Sequence, residues 1–326
     1  MKKLFLVFAL TASLAVFGAC DEAESGTSAA AQAEEINFLA NTDGIIGNAE
    51  SSATPEFEGE GIDMAELVGG GVGEVFNAPM IGGNMQALDG TIYEALLGRP
   101  SVPLQLSPLT AGEELAVMHT NHGDITLRFF PQEAPLAVEN FKTLAREGFY
   151  DGLIFHRVIP GFMIQGGCPL GRGTSGESIF EDGLGLERSF NVHHFRGALA
   201  TAHSGPGRTI GSQFYIVQAN ALHPASIEDF EYLINIQDEV AGEFSGGRHI
   251  YVRDVHPAAG LKHFIENGGT PWLDWQWNGQ GYGHTVFGHV VTGLDIVDSI
   301  ATTETSSDRP ISSVIIESIS FKIYGE

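Results

Sequence analysis

Apolar and polar positions begin to alternate with a strand-like period near Glu114. Leu115-Ala116-Val117-Met118-His119-Thr120 and Asp124-Ile125-Thr126-Leu127-Arg128-Phe129 flank Asn121-His122-Gly123, a spacing that predicts a β-hairpin. From Pro135 to Arg146 the period changes to that of a helix, with Val138, Phe141, Leu144 and Ala145 on one face and Gly148 past its end. Strand-like runs and turns follow, and a second helical stretch, Leu294 to Thr302, comes after the run Thr285 to Val291. Many short strands with two helices predict a mainly β fold, a closed antiparallel barrel capped at its open ends, because closure leaves no unpaired strand edge.

Upstream of this pattern, Asp21 to about Pro108 is acidic and rich in Gly, Ala, Ser and Asn, and Gly69-Gly70-Gly71 and Gly82-Gly83 interrupt any sustained period. Apolar islets, Ile36 to Leu39, Met64 to Val68, Val75-Phe76 and Ile92 to Leu97, exceed what a purely solvated linker carries. The expected organisation is an acidic extension or stalk over 20–112, with islets able to dock on the barrel, and one domain over 113–326. Residues 1–19 read as a leader: Met1-Lys2-Lys3 precedes the apolar run Leu4 to Val16, and Phe17-Gly18-Ala19 places small residues before Cys20. That pattern predicts an exported lipoprotein acylated at Cys20 and anchored to a bacterial membrane, with a simply secreted or periplasmic protein as the alternative.

The net charge of −25, from 41 acidic and 16 basic residues, argues against nucleic acid or an anionic membrane surface as a partner. Charge is concentrated at the front, since residues 21–112 hold fifteen acids and a single base, Arg99. Only two cysteines exist, Cys20 and Cys168, so lipidation of the first removes any intramolecular disulfide and leaves Cys168 as a buried small hydrophobe or a free thiol.

An insertion of about fifty residues, near 219–268, interrupts the strand pattern. Ser226-Ile227-Glu228-Asp229 resembles a helix N-terminus with a capping box, leading into Phe230 to Ile234. The histidines His223, His249, His256 and His263 have spacings that match no compact metal-ligand motif, and no metal or other cofactor is expected.

Candidate chemistry sits in Phe155-His156-Arg157-Val158-Ile159-Pro160-Gly161-Phe162-Met163-Ile164-Gln165-Gly166-Gly167-Cys168-Pro169, which puts one arginine among apolar and aromatic side chains. Gly211-Ser212-Gln213-Phe214-Tyr215-Ile216-Val217 follows about fifty residues later. An always-charged planar donor beside an apolar pocket suits amide rotation, whose barrier of about 18–20 kcal/mol reflects conjugation that is lost in the twisted transition state. The two runs closely resemble the active-site strands of the cyclophilins, the barrel-shaped peptidyl-prolyl cis-trans isomerases. The resemblance implies an eight-stranded barrel, Arg157 as the catalytic arginine, Phe162 and Met163 as proline-pocket walls, and Gln165 and Gln213 as substrate contacts. Tyr215 stands where the family usually has phenylalanine. Ala202-His203-Ser204-Gly205-Pro206 resembles the run whose backbone binds the residues before proline, with His203 in place of asparagine. Gly268-Gly269-Thr270-Pro271-Trp272-Leu273-Asp274 and His284-Thr285-Val286-Phe287-Gly288 resemble the elements that close the pocket, giving Trp272 and Leu273 as wall and His284 as rim. Trp275 or Trp277 takes the indole position if the intervening gap is placed differently. Cys168 departs from the usual aspartate after Gly-Gly.

The resulting expectation is an isomerase of X-Pro bonds in exported proteins, with proline-containing polypeptides as partners, cyclosporin as an implied ligand and no cofactor. Rival readings are a non-catalytic proline-peptide-binding or chaperone scaffold, and an acidic extension that carries the main function with the barrel as accessory. Acyl-enzyme, phosphate-loop and metal motifs are absent from the sequence.

Overall fold

The computed structural model describes residues 99–203, 211–244, 248–274 and 283–326. The leader, Cys20, the extension up to residue 98, Ser204 to Pro206, Trp275 and Trp277 lie outside the described residues.

The predicted hairpin forms from β1 (Glu114–Thr120) and β2 (Gly123–Phe129). Thr120 pairs with Gly123 across a two-residue turn and Ala116 with Leu127. Gly123 adopts φ 128°, a backbone conformation that favours glycine, and packs against the end of the Ile296 side chain. The first helix, α1, spans Pro135–Arg146, with Pro135 at its first position, where a missing N–H costs nothing. The chain then forms β3 (Arg157–Ile159), β4 (Met163–Gly166), β5 (Ala198–Thr201) and β6 (Phe214–Val217). After the insertion come β9 (Val286–Thr292), α5 (Leu294–Ala301), the two-residue strands β10 (Thr305–Ser306) and β11 (Arg309–Pro310), and β12 (Ile316–Ile323).

One eight-stranded antiparallel sheet has the order β12-β1-β2-β9-β5-β6-β4-β3. It curls, and the segments leading into its two end strands meet. Gly152 N–H donates to Ile316 O at 2.8 Å, Ile316 N–H to Leu153 O at 2.8 Å, and Phe155 N–H to Val314 O at 3.0 Å. Ile154 and Ile315 make an isolated bridge there. The seam is thus bridged by loop backbone, and β3 and β12 share no ladder, unlike the continuous closure that the strand pattern predicts.

Strand alternation sorts side chains onto two faces. Ala116, Met118, Ile125, Leu127, Val158, Ile164, Leu199, Phe214 and Ile216 fill the inside of the curl. The inner faces of α1 (Ala137, Val138, Phe141, Leu144) and α5 (Val297, Ile300) pack on the same cluster. Phe141 alone lies 5.0–5.8 Å, centroid to centroid, from Phe129, Tyr150, Phe214 and Phe287.

The insertion has a core of its own. It comprises α2 (Pro224–Asn235), β7 (Val240–Phe244), β8 (Arg248–Tyr251), α3 (Val252–Val255) and α4 (Ala258–Asn267), which bury Phe230, Leu233, Ile250, Val255, Leu261 and Phe264 with Phe190 and Phe195. Its first helix starts earlier than the capping-box pattern predicts. Pro224 presets φ at the first position, and His223 caps the end by accepting from Ala225 N–H at 3.3 Å, so Ser226 falls inside the first turn. A side chain on Gly268 would collide with the backbone of Ala219 to Ala221, so the exit of the insertion lies directly against its entrance.

Residues 99–112, placed in the extension by the sequence pattern, are engaged with the domain. Arg99 donates to the carbonyls of Asp254, Val255 and Phe190. Gln105 is buried and makes reciprocal bonds with His193: its Nε2 donates to His193 O at 2.6 Å and its Oε1 accepts from His193 N–H at 2.7 Å. Leu104 and Leu106 pack against the clusters around β6 and in the insertion, respectively.

Candidate active site

The strands that hold Arg157 have their other face outside the curl. In register, Arg157 pairs with Gln165, Gln165 with Tyr215, and Tyr215 with Ala200, which puts four side chains in one row across β3, β4, β6 and β5. One pleat along, Ile159, Met163 and Val217 form a second row on the same face. Met163, Ala200, Ala202, Tyr215, Val217 and Leu273 are buried together, with Phe162 and Trp272 half-buried against them. The Phe162 and Trp272 rings stack at 6.3 Å and 27°. Phe162 is placed by the β3–β4 turn, which Gln218 pins: Gly161 N–H donates to Gln218 Oε1 at 2.7 Å and Gln218 N–H to Phe162 O at 2.8 Å. Trp272 and Leu273 come from a 3₁₀ turn, Pro271–Leu273.

Polar groups rim this apolar patch. Gln165 Nε2 donates to Gln213 Oε1 at 3.0 Å, and Gln213 Nε2 donates to the carbonyls of Gly173 and Ser175 at 2.9 and 2.7 Å. Arg157 Nε lies 3.5 Å from Asp308 Oδ2. His203 and His284 stack face to face at 4.2 Å; His203 Nε2 meets Gly283 O at 3.1 Å and His284 Nδ1 meets Thr201 O at 3.0 Å. Burial, reinforced by His203 and His194, holds the His284 imidazole well below the ordinary range, so it is neutral at pH 7.

All the site residues expected within the domain therefore converge: Arg157, Phe162, Met163, Gln165, Ala202, His203, Gln213, Tyr215, Trp272, Leu273 and His284. Residues missed in the sequence lie beneath them. Tyr215 Oη lies 2.8 Å from His194 Nε2, and Asp274 Oδ1 and Oδ2 lie 2.5 and 3.0 Å from the Nδ1 atoms of His194 and His193. Burial pushes the Asp274 carboxyl up, but the hydrogen bonds and charges of His193 and His194 outweigh it and hold the group at about 2. Burial, then the Asp274 charge, raises the Tyr215 hydroxyl well above its ordinary value. A hydroxyl at an otherwise apolar site demands a partner, and that demand was the one available signal. Among the described residues, no His, Cys, Asp and Glu cluster is arranged to hold a metal ion. Among them, too, no helix is long and apolar enough to cross a membrane.

A curled antiparallel sheet thus carries an arginine beside an outward apolar patch. The family model described as cyclophilin type peptidyl-prolyl cis-trans isomerase/CLD matches residues 115–321, and the chain belongs to that family. A Staphylococcus aureus (strain USA300) protein named "Putative peptidyl-prolyl cis-trans isomerase" is 43% identical over 209 residues, covering 64% of this chain and 91% of that one. A Streptococcus pyogenes serotype M6 protein named "Putative bifunctional phosphatase/peptidyl-prolyl cis-trans isomerase" is 43% identical over 203 residues, 61% of this chain and 37% of its own length. A Cryptosporidium parvum cyclophilin-type isomerase of known crystal structure is similar at 25% identity and TM-score 0.43, over 64% of this chain and 97% of that one. Membership of that family supports peptidyl-prolyl cis-trans isomerase activity.

Proposed function

We propose that the chain isomerises X-Pro bonds of exported proteins with Arg157 as the transition-state donor, from a lipid anchor at Cys20. In the twisted amide, conjugation is lost and the prolyl nitrogen becomes pyramidal, able to accept a hydrogen bond that the planar ground state cannot. A guanidinium fixed beside the proline pocket donates selectively to that state and needs no tuned pKa. The apolar floor and wall grip the ring and disfavour the charge-separated planar amide. The observation that carries this reading is the register row Arg157–Gln165–Tyr215, which sets a cation at the edge of an outward-facing apolar patch.

Export and anchoring are supported by the sequence alone, through Met1-Lys2-Lys3, the apolar run to Val16, and Gly18-Ala19-Cys20. A protease-coupled proline-peptide assay tests the chemistry. Arg157→Ala lowers kcat/KM about a hundredfold or more, the size of losing one transition-state donor, and Arg157→Lys does not restore it. Equal rates for wild type and Arg157→Ala reduce the domain to a proline-peptide-binding scaffold. Radiolabelled-lipid incorporation that is lost in Cys20→Ser tests the anchor, and unaltered labelling refutes it.

A further inference from the structure

Beneath the pocket, five residues close a ring of contacts that the isomerase chemistry does not itself require. Asp274 follows Leu273 directly, and its Oδ1 accepts from the backbone N–H of His194 at 2.8 Å as well as meeting the His194 ring at 2.5 Å. An ionised carboxylate can only accept, so His194 carries its proton on Nδ1 and donates it to Asp274. In the Nδ1–H tautomer Nε2 keeps a lone pair, which accepts from the Tyr215 hydroxyl at 2.8 Å. The planes of the two rings are within 14° of parallel. His284 stands edge-on to Tyr215 at 5.5 Å and to His194 at 6.3 Å. The ring of contacts shuts where His284 N–H donates to Leu273 O at 3.1 Å.

We propose that His194 is a positioning residue of the isomerase: held by Asp274 and accepting from Tyr215, it locks the floor of the proline pocket to the Leu273 wall and the His284 rim. The proposal rests on the reading of Tyr215 and Leu273 as pocket residues. Tyr215 shares its register row with Arg157, so the depth at which a proline ring seats on it sets the distance from the guanidinium to the prolyl nitrogen. Such a distance matters for the transition state far more than for binding, because the ground-state nitrogen makes no hydrogen bond. A phenylalanine at this position would need no partner and would be held by packing alone.

The test uses the whole chain. In Tyr215→Phe, kcat falls about five- to tenfold, the scale of a lost positioning contact, while the Kd for an Ala-Pro-containing peptide stays within about twofold. The double variant Tyr215→Phe/His194→Leu also takes a donor from the buried Asp274 carboxylate, so it recovers neither stability nor kcat. In wild type, ¹⁵N spectra show His194 as the Nδ1–H tautomer, with an Nε2 resonance that moves when the peptide binds. Wild-type kcat in Tyr215→Phe, kcat that returns with stability in the double variant, an Nε2–H tautomer, or an Nε2 resonance indifferent to peptide each overturns the proposal. If the variants do not fold, the tautomer and its response to peptide decide it. A wild-type chain without isomerase activity overturns the functional reading and the proposal with it, whereas an active wild type with unaffected variants overturns the proposal alone.

Discussion

Asp308 grips the arginine strand twice: its backbone carbonyl accepts from Val158 N–H at 2.7 Å, and its carboxylate lies 3.5 Å from Arg157 Nε. It does so from a left-handed backbone conformation, φ 64°, in the turn between β10 and β11, following Ser307 at φ 50°. Asparagine tolerates that conformation and alanine does not, which separates charge from backbone. Asp308→Asn keeps stability within about 0.5 kcal/mol and lowers kcat/KM several-fold through a less well-oriented guanidinium. Asp308→Ala adds a stability loss of about 1 kcal/mol. Urea unfolding beside the peptide assay checks both, and full activity in Asp308→Asn removes the orienting role.

The anchoring of residues 99–112 sets where a stable domain begins. A fragment starting at Arg99 retains the reciprocal bonds of Gln105 with His193 and the packing of Leu104 and Leu106. One starting at Glu113 loses them, at a cost of about 2–4 kcal/mol from two buried hydrogen bonds and two part-buried leucines. Denaturant midpoints of the two fragments measure the difference. Equal midpoints would return residues 99–112 to the extension.

How much of this could be read from the chain depends on the range of the interactions. The β1–β2 hairpin, α1 and α5 follow from local periods, and α1 matches its predicted bounds, Pro135 to Arg146, because its apolar face and its proline start are written in consecutive residues. The start of α2 differs from the sequence pattern because Ser226 offers a capping box at the third residue of a helix that Pro224 begins. The residues gathered on the outer face were singled out by the resemblance of several runs to a known family. Their support was not: His194 and Asp274 are eighty positions apart, and Tyr215 hides its partner behind a single added hydroxyl. Arg99 is likewise one cation in an acidic segment, and only the fold shows the three carbonyls that it serves.

Acid sensitivity follows from buried imidazoles. Burial, followed by Arg309 and Arg157, lowers His156 to about 4; burial, followed by Arg99 and His193, lowers His256 to about 3; burial, followed by His263 and Arg128, lowers His289 to about 3. Each is neutral when folded and protonates near 6.5 when unfolded, so the unfolded state binds more protons between pH 6.5 and about 3. Stability therefore rises with pH through that window and falls on acidification, by several kcal/mol in total. Asp274, held at about 2, adds to the loss only below pH 4. Activity stays flat between about pH 6 and 8, since Arg157 does not titrate there. Unfolding free energies at pH 7, 5.5 and 4.5 check the slope; a protein equally stable at all three values lacks the buried neutral histidines described.

Trp272 is the residue at which binding of a large cyclic peptide is tested. It stands half-buried against the apolar patch, stacked on Phe162 at 6.3 Å, while Leu273 beside it is buried as wall. An indole carries an N–H donor that phenylalanine lacks, although phenylalanine keeps the apolar face. The family resemblance implies cyclosporin as a ligand. Trp272→Phe accordingly weakens cyclosporin binding about tenfold, the scale of one lost hydrogen bond, and leaves kcat/KM for a short proline peptide within about twofold. Calorimetric titration of the wild type, Trp272→Phe, Trp275→Phe and Trp277→Phe reads the result directly. A loss confined to Trp275→Phe or Trp277→Phe moves the indole role to that residue, and no binding by the wild type removes cyclosporin as a ligand of this pocket.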